Sequence, residues 1–158
     1  MKAKIEKIVK QIEGDEPGLV DIEIQDFICP MTVEVFDSMP ALESTVDANI
    51  ILYAFSDYRV YDNEADYYAR SNNSMSHQSI IPMGYFPIDQ QENFEKSSVN
   101  YINGSVISAE EDDGNYLVEL ECCDMIFYVV YKKQNDKKIN VGNIISSRYW
   151  AELLVQNK

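Results

Sequence analysis

The sequence is poor in the residues on which most metal and nucleophilic sites depend. It has a single histidine, His77, and three cysteines, two of which are adjacent. One imidazole is too few for most zinc hydrolase sites. An odd number of cysteines without a C-x-x-C pair is not the framework of a disulfide-stapled secreted domain. These shortages argue against a metallohydrolase and against a small secreted scaffold.

Long apolar runs and glycine-rich loops are missing as well. No stretch approaches the roughly 20 apolar residues that cross a bilayer. Residues 1–14 carry lysines but no continuous apolar core, so they do not match a signal peptide. The six glycines form no phosphate-cradling motif. We therefore expect a cytoplasmic protein that does not contact membranes, and we predict no cofactor and no metal site.

Basic residues are scarce in the middle of the chain. Residues 15–131 hold 23 carboxylates against Arg59, Arg70 and Lys96, a net charge of −20. Residues 1–14 carry +2 and residues 132–158 carry +4, which gives the total of −14. A strongly negative field repels phosphates and attracts basic proteins. The charge therefore disfavours nucleic acid and favours a basic protein partner.

The 158 residues are the size of one compact domain, and we predict a single domain over 1–158. Ile5, Ile8, Val9 and Ile12 recur at the spacing of a 3.6-residue period. This stripe predicts an amphipathic α-helix over residues 1–14, followed by a β-rich body over 18–158.

Strand patterns begin at Gly18. Apolar residues alternate with polar ones over 18–24, where Asp21 is expected to point outward, and again over 31–35. We expect these two strands to be antiparallel neighbours. Residues 46–55 are apolar on both faces and predict a covered central strand. Three further strands are predicted in succession at 99–109, 115–121 and 125–131.

Many short strands with few helices predict a mainly β fold. We expect a small antiparallel barrel or sandwich, which could resemble the OB-fold, with the N-terminal α-helix covering one side. An α+β fold with one antiparallel sheet is the alternative.

The strand pattern breaks down over residues 56–78, where carboxylates and tyrosines are interleaved and Glu64 to Arg70 could form a short helix. Tyrosines supply large contact areas, and carboxylates accelerate encounter with a basic partner. The same tyrosines would also suit an ordinary sheet. The predicted binding residues are Tyr53, Asp57, Tyr58, Tyr61, Asp62, Glu64, Asp66, Tyr67 and Tyr68.

No motif predicts a catalytic residue. His77 lies among serines, but no nucleophile-elbow pattern is present, and we expect a solvated loop histidine. Asp62, Glu64 and Asp66 have the opening spacing of a calcium loop, which fails where Tyr67 replaces the required glycine. We favour a binding protein over an enzyme, and a hydrolase with paired carboxylates stays open.

Three functions are consistent with these patterns. The first is a non-enzymatic protein-binding module for a basic partner, similar in composition to inhibitor and immunity proteins that neutralise basic toxins. The second is a β-barrel that binds a saccharide or a divalent cation. The third is an OB-like binder of single-stranded nucleic acid, which would use Lys132 to Lys138 with Tyr149 and Trp150. The oligomeric state is open.

Overall fold

The computed structural model describes residues 1–24, 31–72, 74–83 and 97–156. Within these ranges the chain forms ten strands and one short helix, so the fold is mainly β, as predicted. The strands are β1 (Lys2–Lys10), β2 (Gly18–Ile24), β3 (Met31–Val35), β4 (Thr45–Ala54), β5 (Arg59–Tyr61), β6 (Ser79–Pro82), β7 (Val99–Asp112), β8 (Asn115–Cys122), β9 (Met125–Lys132) and β10 (Ile144–Val155). The helix is α1 (Glu64–Arg70). No helix in these ranges is long and apolar enough to cross a membrane.

The sheet is mixed, whereas the sequence predicted an antiparallel one. β3 and β10 run parallel, with Glu34 opposite Glu152. β1–β2, β2–β3, β7–β8 and β8–β9 are antiparallel. Antiparallel neighbours can be joined by short turns, but β3 and β10 are far apart in the sequence, so no hairpin dictates their direction.

Contacts divide the chain into two compact units. The first unit comprises Met1–Ile51, Pro82–Asn100 and Trp150–Lys158, and the second comprises Leu52–Ile81 and Tyr101–Tyr149. β4, β6, β7 and β10 therefore contribute residues to both units.

The predicted N-terminal helix is wrong, because residues 2–10 form a strand. Ile5 lies opposite Ile22 and Ile8 lies opposite Val20, with a register shift between Ile5 and Lys7. A bulge inserts one extra residue, so a spacing of three on β1 matches a spacing of two on β2. The bulge produced the apparent helical period, and the β-branched residues at these positions favour a strand.

The strands predicted at 18–24 and 31–35 are confirmed as antiparallel neighbours. Asp21 does not point outward as expected, because its side chain is buried and accepts a 2.7 Å hydrogen bond from the Thr32 hydroxyl. The strand predicted at 46–55 is confirmed as β4, but only one face is covered. Leu52 is fully buried, whereas Tyr53 is 40% exposed.

The three successive strands predicted in the last third are confirmed as β7, β8 and β9. Asp112 pairs with Asn115, and Cys122 pairs with Met125, so each hairpin has a two-residue loop. All four loop residues have positive φ angles, between 48° and 88°. Two positive φ values in a two-residue loop define the type I′ turn, which matches the twist of the strands it joins.

The sequence leaves residues 56–78 open between helix, strand and loop, and within them Glu64 to Arg70 form the short helix α1. Asn63 caps its N-terminus, where its side chain accepts a 2.8 Å hydrogen bond from the Asp66 amide. Tyr67 packs its ring edge-on against Tyr61, with 5.3 Å between centroids. Both tyrosines belong to a buried cluster with Ile144 of β10, which fixes α1 in the second unit.

Candidate functional site

Three of the five predicted tyrosines are buried in the second unit. The Tyr58 hydroxyl donates to the Lys132 carbonyl at 2.8 Å, and burial raises its pKa to about 12. The Tyr67 hydroxyl donates to the Met75 carbonyl at 3.1 Å, and Tyr61 is covered by the same core. These three rings therefore stabilise the unit and present no contact surface.

Two of the predicted carboxylates are engaged by arginines. Arg70 donates to both Asp66 oxygens at 2.5 and 2.6 Å, and the Asp62 amide donates to Asp66 at 2.7 Å. These bonds, above all those from Arg70, lower the pKa of Asp66 to about 2. Asp57 forms an exposed ion pair with Arg148 at 2.8 Å. Both carboxylates position neighbouring residues, which leaves them less available to a partner.

Tyr68, Glu64 and His77 form a small surface cluster. Tyr68 is half-exposed, and its hydroxyl lies 3.0 Å from Nδ1 of His77 and accepts from the His77 amide at 3.1 Å. Glu64 approaches the same nitrogen to 3.7 Å. His77 is thus half-buried against Tyr68 instead of fully solvated. In the described part of the chain no serine hydroxyl bonds its ring, so the geometry offers no serine–histidine pair.

The second unit exposes a larger patch on the outer side of β8 and β9. Met125, Phe127 and Val129 point inward, whereas Ile126 and Tyr128 are 42% and 44% exposed. We call six outward residues of these two strands the acidic sheet face, which ends at the outward pair Asn115 and Lys132. They are Leu117, Glu119, Glu121, Ile126, Tyr128 and Val130.

On this face the two glutamates of β8 each lie opposite an apolar residue of β9. Glu119 lies directly opposite Tyr128, Glu121 lies opposite Ile126, and Leu117 lies opposite Val130. Glu110 of β7 is exposed and pairs with Leu117, so it adds a carboxylate beside this face. Apolar side chains bordered by carboxylates can bury area against a partner and accept charge-assisted hydrogen bonds from its lysines and arginines.

The predicted site contained Tyr53, on the strand next to β9 in the sheet, but none of the residues of the acidic sheet face. A signal for them exists, because all seven residues from Met125 to Tyr131 are apolar. A strand with one buried face needs apolar residues only at alternate positions. The surplus on β9 therefore predicts exposed apolar side chains.

In the described ranges no group of three or more histidine, cysteine or acidic side chains is placed to hold a metal ion. No family model, curated protein or solved structure matches the chain.

Proposed function

We propose that this chain is a non-enzymatic module that binds a basic protein through the acidic sheet face. One observation carries the proposal: two large apolar side chains, Ile126 and Tyr128, stay more than 40% exposed, and each lies opposite a carboxylate. Single exposed apolar residues are common, but neighbouring ones that form a patch rimmed by polar residues mark a site of interaction.

The energetics of this face suit reversible association. Complete burial of such a side chain contributes about 1.5–3 kcal/mol, so covering the exposed part of Ile126 and Tyr128 would contribute about 1 kcal/mol each. Glu119 and Glu121 would mainly select a cationic partner and speed the encounter. The net charge of −14 acts in the same direction over longer distances.

The expected partner presents lysine or arginine side chains beside apolar ones, as an inhibited basic enzyme would. The cytoplasmic location and the small OB-like barrel remain parts of this proposal. Single-stranded nucleic acid is a weaker candidate, since one of the two expected stacking residues, Tyr149, is fully buried.

The proposal is tested by affinity capture from lysate in 50 and 300 mM KCl, with the captured proteins identified by mass spectrometry. We expect the wild type to retain a protein of high isoelectric point at 50 mM KCl and to lose most of it at 300 mM. Two face variants, Glu119→Gln/Glu121→Gln and Ile126→Thr/Tyr128→Thr, should fail to retain it.

Matched controls separate the face from general charge and hydrophobicity. Glu13→Gln/Asp15→Asn removes two exposed carboxylates from the first unit and leaves the same net charge as the glutamate variant. Val141→Thr removes an exposed apolar side chain outside the face. Both controls should retain the partner. Absence of any basic partner at both salt concentrations, or equal retention by the face variants, would contradict the proposal.

A further inference from the structure

Basic residues gather in one groove of the otherwise acidic second unit. Of the three basic residues in 15–131, Arg59 and Arg70 line this groove, and Lys96 lies outside the described residues. Lys137 and Lys138 join them from the loop after β9. The groove has a volume of about 570 Å³, within the usual range of small-molecule sites.

Hydrogen bonds and aromatic rings fix the positions of two of these cations. Asp66 holds the Arg70 guanidinium, which lies over the Tyr61 ring at 5.1 Å from its centroid. The Lys137 ammonium donates to the Tyr58 carbonyl at 2.5 Å and lies 4.5 Å from the centre of the Tyr58 ring. These contacts hold both cations in place before any ligand arrives, which reduces the ordering cost of binding.

The other two cations are exposed and available. Within the described ranges the side chains of Arg59 and Lys138 make neither a hydrogen bond nor an ion pair, although the charge of Lys138 contributes to lowering the pKa of Glu111. Two carboxylates, Asp62 and Asp136, also line the groove, and Asp66 neutralises Arg70, so the four cations leave a local charge of +1. The groove therefore has the opposite sign to the chain as a whole.

Amide groups add neutral donors and acceptors. Asn143 is buried at the groove, where its side chain donates to the Asp62 carbonyl at 3.3 Å and accepts from the Asn140 amide at 2.7 Å. These bonds hold residues 62 and 140–143 together around the floor of the groove. Arginine and lysine beside asparagine provide the donors that phosphate oxygens require.

We propose that this groove binds a small phosphate-bearing anion. Two arginines and two lysines around a groove of about 570 Å³ favour a compact ligand that carries one or two phosphate groups. A nucleic-acid strand would extend from the groove over the surrounding carboxylates, which repel its backbone.

The test is isothermal titration calorimetry of the full chain with inorganic pyrophosphate in 150 mM KCl at pH 7.5. We expect saturable binding at one site per chain. Arg59→Gln/Lys138→Gln should weaken it at least about tenfold, because it removes two charge-assisted interactions. Circular dichroism of each variant verifies that it is folded.

The matched control is Lys7→Gln/Lys132→Gln, which lowers the net charge by the same amount with two exposed lysines outside the groove. Its affinity should stay within about twofold of the wild type. The variant Glu119→Gln/Glu121→Gln should also bind pyrophosphate, since this inference is independent of the acidic sheet face.

Three results would overturn the inference. The first is the absence of binding at millimolar pyrophosphate, and the second is an equal loss of affinity in the groove variant and its control. The third is tighter binding of a single-stranded oligonucleotide that depends on Arg59 and Lys138, which would replace the small ligand with a polymer.

Discussion

The paired hydroxyls of Tyr131 and Tyr149 allow a quantitative test of the core of the second unit. Both side chains are fully buried, with their oxygens 2.5 Å apart and their rings edge to face at 5.9 Å. Burial raises the pKa of both phenols, so they are neutral at physiological pH. Within the described residues each hydroxyl has the other as its hydrogen-bond partner.

Replacing either residue with phenylalanine keeps the ring and removes one hydroxyl. The remaining hydroxyl is then buried without a partner, which costs about 1–3 kcal/mol of unfolding free energy. The double variant Tyr131→Phe/Tyr149→Phe removes both hydroxyls and leaves nothing unsatisfied. We therefore expect its cost to be about 1–2 kcal/mol smaller than the sum of the single costs.

The assay is urea unfolding followed by circular dichroism at pH 7, with the slope of each transition compared to check that its cooperativity is unchanged. A control cycle uses Tyr58→Phe with Tyr149→Phe, since the Tyr58 hydroxyl donates to the Lys132 carbonyl. That pair should be additive within about 0.5 kcal/mol. Additivity of the Tyr131 and Tyr149 variants would refute the reasoning.

Two further predictions concern a carboxylate and a glycine of the second unit. Arg70→Gln should raise the pKa of Asp66 from about 2 toward its ordinary 3.8, which a carboxyl-carbon NMR titration measures. In the wild type the stabilisation from this depressed pKa is present above about pH 4 and is lost as pH falls toward 2. The variant should lose less stability over this range, since only the bond from the Asp62 amide still lowers the pKa. An unchanged Asp66 pKa would contradict this. Gly104→Ala should lower the unfolding free energy by about 1–3 kcal/mol in urea, whereas Ser108→Ala on the same strand should have little effect. The loss is expected because the added Cβ would lie 2.7 Å from Leu120 Cγ and 3.0 Å from the Glu121 carbonyl oxygen. An unchanged urea midpoint would contradict this, since it would mean that β7 and β8 move apart at no cost.

The sequence predicts the strands well where alternation is regular. Residues 115–121 have one apolar face, and their structure matches the prediction closely, whereas residues 18–24 form the predicted strand with Asp21 buried on the face expected to be polar. The structure of residues 2–10 differs from the prediction, because the bulge between Ile5 and Lys7 changes the spacing of the apolar residues. A bulge depends on the pairing of two strands, so the pattern of β1 by itself cannot distinguish it from a helical turn.

The candidate site is harder to predict because burial depends on which face of an element packs. Tyr67 and Tyr68 are adjacent in α1, yet one is fully buried and the other is half-exposed. Successive residues of a helix differ by about 100° in direction, so the packed side is defined only by the contacts with Tyr61 and Ile144. Composition shows that this segment is rich in tyrosines, but it does not show which of them are buried and which are exposed.

Net charge and local charge lead to different expectations for the same unit. The chain carries −14 overall, yet folding brings Lys137 and Lys138 beside Arg59 and Arg70. At physiological salt charges are screened over about 8 Å, so a groove of cations can act locally while the whole chain still repels anions at longer range. Salt should therefore weaken capture of a basic protein steadily. It should affect pyrophosphate binding less, because it screens the repulsion by the carboxylates together with the attraction by the groove.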